Sequence, residues 1–222
     1  MTKWRQLEAM MDKYKNKSTE YFDRIAGTYA SSYEGRHAED LYGTVLQKLN
    51  TFSFRSILDI GCGTGELLSL ISKREAVTLS GIDISPEMIR IAREKLGKGS
   101  DIRLGDSEEL PWKDNSFDVV MCIDAFHHYP YPQKALREMH RVIRPEGHLI
   151  IADPWHPSPV RQFQNLLVQI LLRSRRGDVR IYSESEIRRL LEECQFEPIE
   201  WQRARRLLTV SSAYVVSARP SK

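Results

Sequence analysis

Between residues 55 and 152, short apolar runs alternate with stretches whose apolar residues recur every three or four positions. The runs at Arg55–Ile60, Val77–Ile82, Ile102–Leu104, Phe117–Ile123 and His148–Ala152 predict strands. Helical spacing predicts helices over Gly65–Lys73, from Pro86 to about Leu96, and over Gln133–Ile143. Ser85 caps the second of these, with Pro86 at its first position and Glu87 in its first turn, and Gly97 and Gly99 stop it. Pro145-Glu146-Gly147 ends the third. The strands read as near-continuous apolar runs, so both faces of their sheet are covered. That predicts a doubly wound α/β fold with a mostly parallel sheet and right-handed crossovers.

The flanks read differently. Trp4, Leu7, Met10, Met11 and Tyr14 lie at helical spacing, and Leu41, Val45, Leu46 and Leu49 mark a helix over 38–52. Between them Tyr21, Tyr29 and Tyr33 cluster among small residues, suited either to a site wall or to core packing. Residues 1–52 are thus expected to form a helical cover. Residues 153–182 open with the Pro-rich loop Asp153-Pro154-Trp155-His156-Pro157. They continue as a helix with Leu166, Leu167, Ile170 and Leu171, and then the basic run Arg173-Ser174-Arg175-Arg176. This insertion follows a strand's carboxyl end and is read as a substrate lid. Ser183 to Glu186 forms a capping box for a helix to about Cys194. The tail predicts strands at Phe196–Trp201 and Thr209–Ala218, paired antiparallel across a turn at Arg203–Arg206. The whole of 1–222 is expected to be one domain.

Candidate chemistry begins at Asp59-Ile60-Gly61-Cys62-Gly63-Thr64-Gly65, where the first strand turns into the first helix. Glycines there let a ligand approach the backbone closely. The spacing is GxGxG rather than the GxGxxG of dinucleotide folds, and the preceding acid would repel a pyrophosphate but suits an ammonium. An NAD-dependent dehydrogenase is therefore disfavoured. Asp83 ends the second strand about twenty residues later, where an acid commonly accepts ribose hydroxyls. Asp106 follows the third strand and suits an exocyclic amine such as adenine N6. Ile84, Met88 and Ile123 would sandwich the ring, although ordinary core packing serves equally for them. With Asp124 after the fourth strand, these positions share the carboxyl edge of the sheet around one crevice.

Three segments together resemble a class I S-adenosylmethionine-dependent methyltransferase: Ile57 to Gly65, Gly81 to Met88, and Gly105 to Asp118. Phe126-His127-His128-Tyr129-Pro130 and Ala135 to Gly147 fit the same pattern, with Glu146 where the family often has a second glycine. The resemblance covers roughly residues 20 to 155 and is closer to the small-molecule subgroup that includes ubiquinone/menaquinone-type C-methyltransferases. It implies the seven-stranded, Rossmann-like methyltransferase fold with an antiparallel last strand. It further implies that Asp59, Gly61, Asp83, Asp106 and Ser107 hold S-adenosylmethionine, with Cys62 and Gly63 in the same turn. Tyr29 resembles the family's N-terminal tyrosine that covers the cofactor.

Methyl transfer from a sulfonium is an in-line displacement that needs alignment, and a base only where the nucleophile must lose a proton. His127 and His128 are the candidate catalytic residues, with Asp124, Tyr21, Tyr33 and, more remotely, His156 near them. A polar contact or helix-start role is the competing reading for the His pair. Amino methyltransferases acting on adenine or glutamine resemble one another in an Asn/Asp-Pro-Pro-aromatic motif after the fourth strand. Here Asp124-Ala125-Phe126-His127 stands there, which disfavours that class. The expected partner is a small-molecule acceptor. RNA methylation elsewhere than on an exocyclic amine, and a cofactor-binding regulatory role without transfer, are the alternatives.

Composition adds limits. The formal charge of +3 over 222 residues is too small to imply nucleic acid by itself, although Trp155 to Lys222 carries 12 Lys/Arg against 7 Asp/Glu. Cys62, Cys122 and Cys194 are widely spaced without a CxxC, pointing to a reducing cytoplasm rather than to disulfides or zinc, and no metal ligand set is read from the spacing. Met1 to Gln6 leads into no signal-like segment, and the apolar stretch Asn165–Leu172 is too short to span a bilayer. Oligomeric state is left open.

Overall fold

The computed structural model describes residues 3–167, 176–205 and 212–221, with the side chains of 3–10, 205 and 212 excluded. Its centre is a seven-stranded sheet: β1 (Ser56–Ile60), β2 (Thr78–Asp83), β3 (Asp101–Leu104), β4 (Phe117–Ile123), β5 (Ile143–Trp155), β6 (Phe196–Arg205) and β7 (Ser212–Pro220). The order is β3-β2-β1-β4-β5-β7-β6. β1 to β5 pair parallel, and β7 runs antiparallel to both β5 and β6. The seven-stranded, mostly parallel, doubly wound sheet with an antiparallel last strand is therefore as expected.

Helices α1 (Lys3–Ile25), α2 (Tyr33–Leu49), α3 (Glu66–Ile71), α4 (Pro86–Leu96), α5 (Pro132–Val142), α6 (Ser158–Leu167) and α7 (Glu184–Glu193) accompany the sheet, with short 3₁₀ turns at Ala26–Ser31 between α1 and α2 and at Phe126–His128 between β4 and α5. The period-2 alternation of β1 sorts its residues between two cores. Leu58 and Ile60 pack with Leu136 and Met139 of α5 and Leu191 of α7. Ile57 packs with Leu41 and Val45 of α2, Leu68 of α3 and Ile89 of α4. Because α2 buries Leu41, Val45 and Leu49 completely, it is part of the core and not only a cover.

Helix starts follow their caps. Ser85 Oγ accepts the Met88 N–H at 3.1 Å, and Ser183 Oγ accepts the Glu186 N–H at 3.2 Å while Glu186 Oε2 accepts the Ser183 N–H at 2.7 Å.

Three boundaries differ from expectation. Pro145-Glu146-Gly147 lies inside β5, where the register shifts between the pairs Phe117–Ile143 and Val119–His148. Asp153, Pro154 and Trp155 continue β5 rather than opening the 153–182 insertion, because β7 supplies antiparallel partners as far as Ser212. Arg203 to Arg205 belong to β6, not to a turn. Several expected features lie outside the described residues: Ile170 and Leu171, Arg173 to Arg175 of the basic run, and Arg206 with Thr209 to Ser211. So do the side chains of Trp4, Leu7 and Met10. No helix among the described residues is long and apolar enough to cross a membrane.

Candidate active site

The chain turns back across the sheet between β1 and β4, so the carboxyl ends of these strands and of β2 and β3 frame an open crevice. Gly61, Gly63, Asp83, Ile84, Met88, Asp106, Ser107, Ile123 and Tyr29 all line it. Gly61 (φ +80°) and Gly63 (φ +52°) adopt the left-handed backbone, and a Cβ on Gly61 would come within 2.6 Å of Ala125 Cβ. Asp83 holds the turn open: its Oδ2 accepts the Gly63 N–H and its Oδ1 the Ser85 N–H, both at 2.9 Å.

Asp59 and Cys62 do not face this crevice. They line a small adjoining cavity with Ala38 and Tyr42 of α2 and Glu66 of α3, which shares Tyr29, Gly61, Gly63 and Ile123 with the crevice as walls. The reason is parity: Asp59 shares the sheet face of Ile57, toward α2 and α3. Its side-chain Oδ1 is buried with no hydrogen-bond partner among the described residues. Burial first, and the Asp83 charge second, push its carboxyl up to about 8. A cationic ligand end reaching through the glycine turn would relieve both. This unsatisfied carboxylate, the glycine cradle, and Asp83 and Asp106 at the far side fit the ammonium, ribose and base of S-adenosylmethionine.

The N-terminal helices close the crevice with residues the sequence did not single out. Lys15 reaches Asp106 at 2.6 Å and Glu108 at 2.9 Å, and it lines the crevice together with Ser18 and Phe22. Asp23 Oδ1 accepts from Ser85 Oγ at 2.5 Å, tying α1 to the start of α4. Lys15 carries no motif; only its position on the polar side of an amphipathic helix hinted at it. Tyr129 also lines the crevice, and its hydroxyl donates to the Ile60 carbonyl at 3.1 Å.

Beyond the crevice lies a second cavity of about 400 Å³. The two share Phe22, Tyr29, Asp124 and His128 as walls. His127, His37, Tyr33, His156 and Asp178 line the second cavity, as do Gln164, Asn165 and Leu167 of α6. Tyr21 lines neither space, since its hydroxyl donates to Glu34 at 2.7 Å. His127 Nδ1 lies 2.9 Å from Asp153 Oδ1, and Asp153 is fully buried. Burial opposes a charge on His127, but the Asp153, Asp124 and Asp178 carboxylates outweigh it and lift the imidazole to about 9. His128 goes the other way, down to about 4, through burial and then the His127 charge. His37 Nδ1 approaches Asp124 Oδ2 at 2.5 Å. Asp124 is raised to about 6 by burial, against the pull of His127 and His128.

Residues 58–151 match the family model described as "Methyltransferase domain". The chain is 33% identical over 123 residues to methyltransferase GfsG of Streptomyces halstedii, covering 53% of this chain and 43% of that protein. It is 36% identical over 105 residues to demethylmenaquinone methyltransferase of Staphylococcus aureus, covering 46% of this chain and 44% of that protein. The matches thus span less than half the length of these curated relatives. A SAM dependent methyltransferase from Aquifex aeolicus has the same fold, with a TM-score of 0.61 at 24% identity over 80% of this chain and 88% of that one. Residues 58–151 are thus similar to a methyltransferase domain, and the sheet has the fold of the S-adenosylmethionine-dependent A. aeolicus protein.

Proposed function

We propose that this chain transfers a methyl group from S-adenosylmethionine to a small-molecule acceptor held in the second cavity. One observation carries the reading: the cofactor crevice and a cavity of about 400 Å³ meet at a shared wall of Phe22, Tyr29, Asp124 and His128. The space suits a small acceptor better than a folded nucleic acid.

When bound, the cofactor supplies an already activated methyl group. The chain's own residues do the rest. Gly61 and Gly63 let the ligand approach the backbone, and Asp59 offers its carboxylate to the ammonium. Asp83 and Asp106 face the ribose and base ends, with Ser107 beside Asp106. Ile84, Met88 and Ile123 provide the apolar walls, and Tyr29 stands at the junction of all three spaces. Phe22, edge-on to Tyr29 at 6.3 Å and to His128 at 5.3 Å, gives the shared wall an apolar face. His127 and His128 are the polar groups on the acceptor side. His156, the end of α6 at Gln164, Asn165 and Leu167, and residues between Arg176 and Ile181 line that cavity and would set its selectivity. The S. aureus relative's name supports a quinol-like acceptor within the small-molecule class.

The test is turnover. The chain is incubated with S-adenosylmethionine and a panel of phenols, quinols, carboxylates and amines, and S-adenosylhomocysteine is followed. Acceptor-dependent product above the acceptor-free rate is expected with at least one class. Tight cofactor binding without acceptor-dependent product from any class would overturn the transferase reading in favour of a binding protein.

A further inference from the structure

We propose that His127, His128 and Asp178 form a divalent transition-metal site on the wall of the second cavity, with Asp153 as the outer carboxylate that orients His127. The inference rests on reading that cavity as the acceptor chamber, and it goes beyond that reading by assigning the His pair to an ion rather than to a proton.

The backbone brings the three groups together. His127 and His128 are neighbours on the turn after β4, their ring centroids 4.0 Å apart. Asp178 comes from a loop much further along the chain. That loop is fastened to the turn, because the Val179 and Arg180 N–H groups both donate to the His127 carbonyl, at 2.9 and 3.2 Å. One side-chain atom from each of the three residues lies within 4.8 Å of the others.

The distances favour an ion over a direct hydrogen-bond network. Asp178 Oδ1 is 3.8 Å from His127 Nε2 and 3.4 Å from His128 Nδ1, longer than a hydrogen bond between such groups. A four-coordinate ion with ligands at 2.0–2.1 Å separates them by about 3.3 Å, so these atoms stand slightly open around such a centre. His128 Nδ1 is buried with no hydrogen-bond partner among the described residues.

The outer shell supplies an independent sign. His127 Nδ1 is held by Asp153, which has no exposed surface, so Nε2 is left to face Asp178. A metal-ligating histidine almost always gives its other ring nitrogen to such a carboxylate or to a carbonyl. Two imidazoles and one carboxylate suit Zn²⁺, Co²⁺, Fe²⁺ or Mn²⁺ rather than Ca²⁺ or Mg²⁺. The remaining coordination positions would face the cavity, where an acceptor oxygen or nitrogen can bind.

The test titrates the metal-stripped full chain with ZnCl₂ by calorimetry and with CoCl₂ by visible absorption, without acceptor or cofactor. One equivalent bound at micromolar concentration or tighter is expected, with cobalt bands of a low-coordinate site. His128→Ala and Asp178→Asn should each weaken binding at least a hundredfold, and Asp153→Asn ten- to a hundredfold. Asp178 is part-exposed, so Asp178→Asn keeps the test valid if His128→Ala fails to fold. Absence of uptake, or uptake that these substitutions leave unchanged, would overturn the site. S-adenosylmethionine is titrated into the same samples. Retained cofactor binding with no metal uptake sinks the ion alone, whereas metal uptake without cofactor binding sinks the methyltransferase reading.

Discussion

Asp83 Oδ2 accepts the Gly63 N–H at 2.9 Å, so the acid expected at the ribose also fastens the glycine turn. The same carboxylate holds the Ser85 N–H at the start of α4. Its carboxyl is pushed up by burial, while these backbone donors pull it down. In Asp83→Ala both donors lose a charged partner, at roughly 1.5–3 kcal/mol for each such hydrogen bond. The expected result is at least a tenfold loss of S-adenosylmethionine affinity by calorimetry, with a lower Tm. Unaltered affinity would remove Asp83 from the site.

Within the glycine turn, Gly61 is the position where a side chain is least tolerated. Its φ is +80°, and a Cβ would meet Ala125 Cβ at 2.6 Å and the Tyr129 hydroxyl at 3.3 Å. Gly61→Ala should cost about 1–3 kcal/mol through strain and overpacking. It should also abolish measurable cofactor binding. Gly27→Ala is the control, since nothing lies within 4 Å of its Cβ position, and it should leave binding unchanged.

Asp59 should make cofactor binding depend on pH. Its carboxyl is raised to about 8 in the free protein, chiefly by burial. Beside a bound ammonium it would ionise, so binding should release a proton below about pH 8 and affinity should tighten as pH rises from 6 to 8. Stability runs in the opposite direction. An acid raised on folding contributes stability that is full below its unfolded value near 4 and is lost as pH rises through about 8. Calorimetry in buffers of differing ionisation enthalpy should detect the released proton in the wild type and not in Asp59→Asn. Thermal melts should show Asp59→Asn gaining on the wild type as pH rises from 6 to 9. Identical proton counts in the two proteins would remove Asp59 from the ammonium.

Lys15 should hold the N-terminal cover in place. It pairs with Asp106 and Glu108 with only 18% of its side chain exposed, and Glu108 is 9% exposed. Lys15→Met keeps the stem but leaves Glu108 with Lys134 at 4.0 Å as its remaining cation. A loss of about 1–2 kcal/mol is expected, a fall of several degrees in Tm for a chain of this size, with faster cofactor release in stopped flow. An unchanged Tm and release rate would show that the helix is held elsewhere.

Much of the architecture was legible along the chain because its strands are buried on both faces and its helices carry explicit caps. Phe117–Ile123 and Pro86–Leu96 have the expected bounds, since an apolar run and a Ser-Pro cap are local signals. β5 runs past Ala152 because β7, distant in sequence, supplies partners for Asp153, Pro154 and Trp155. A Pro-rich segment carries no local sign of that pairing. The same extension buries Asp153 beneath His127.

The sequence by itself singled out the proposed cofactor side: the acid and glycines of residues 59–65, then Asp83 and Asp106 at successive strand ends. Gly61, Gly63, Asp83 and Asp106 sit next to the strands that position them, so spacing along the chain is nearly spacing in the crevice, whereas Asp59 and Cys62 turn to the adjoining cavity. Only the tertiary structure assembled the proposed acceptor side. His127 and His128 belong to one motif, but Asp153, Asp178 and His37 reach them from a strand, a loop and a helix that no spacing connects. Lys15 likewise meets Asp106 only because α1 folds back over the sheet. Contacts between residues far apart in sequence depend on how the layers pack, and that packing is set by the whole core.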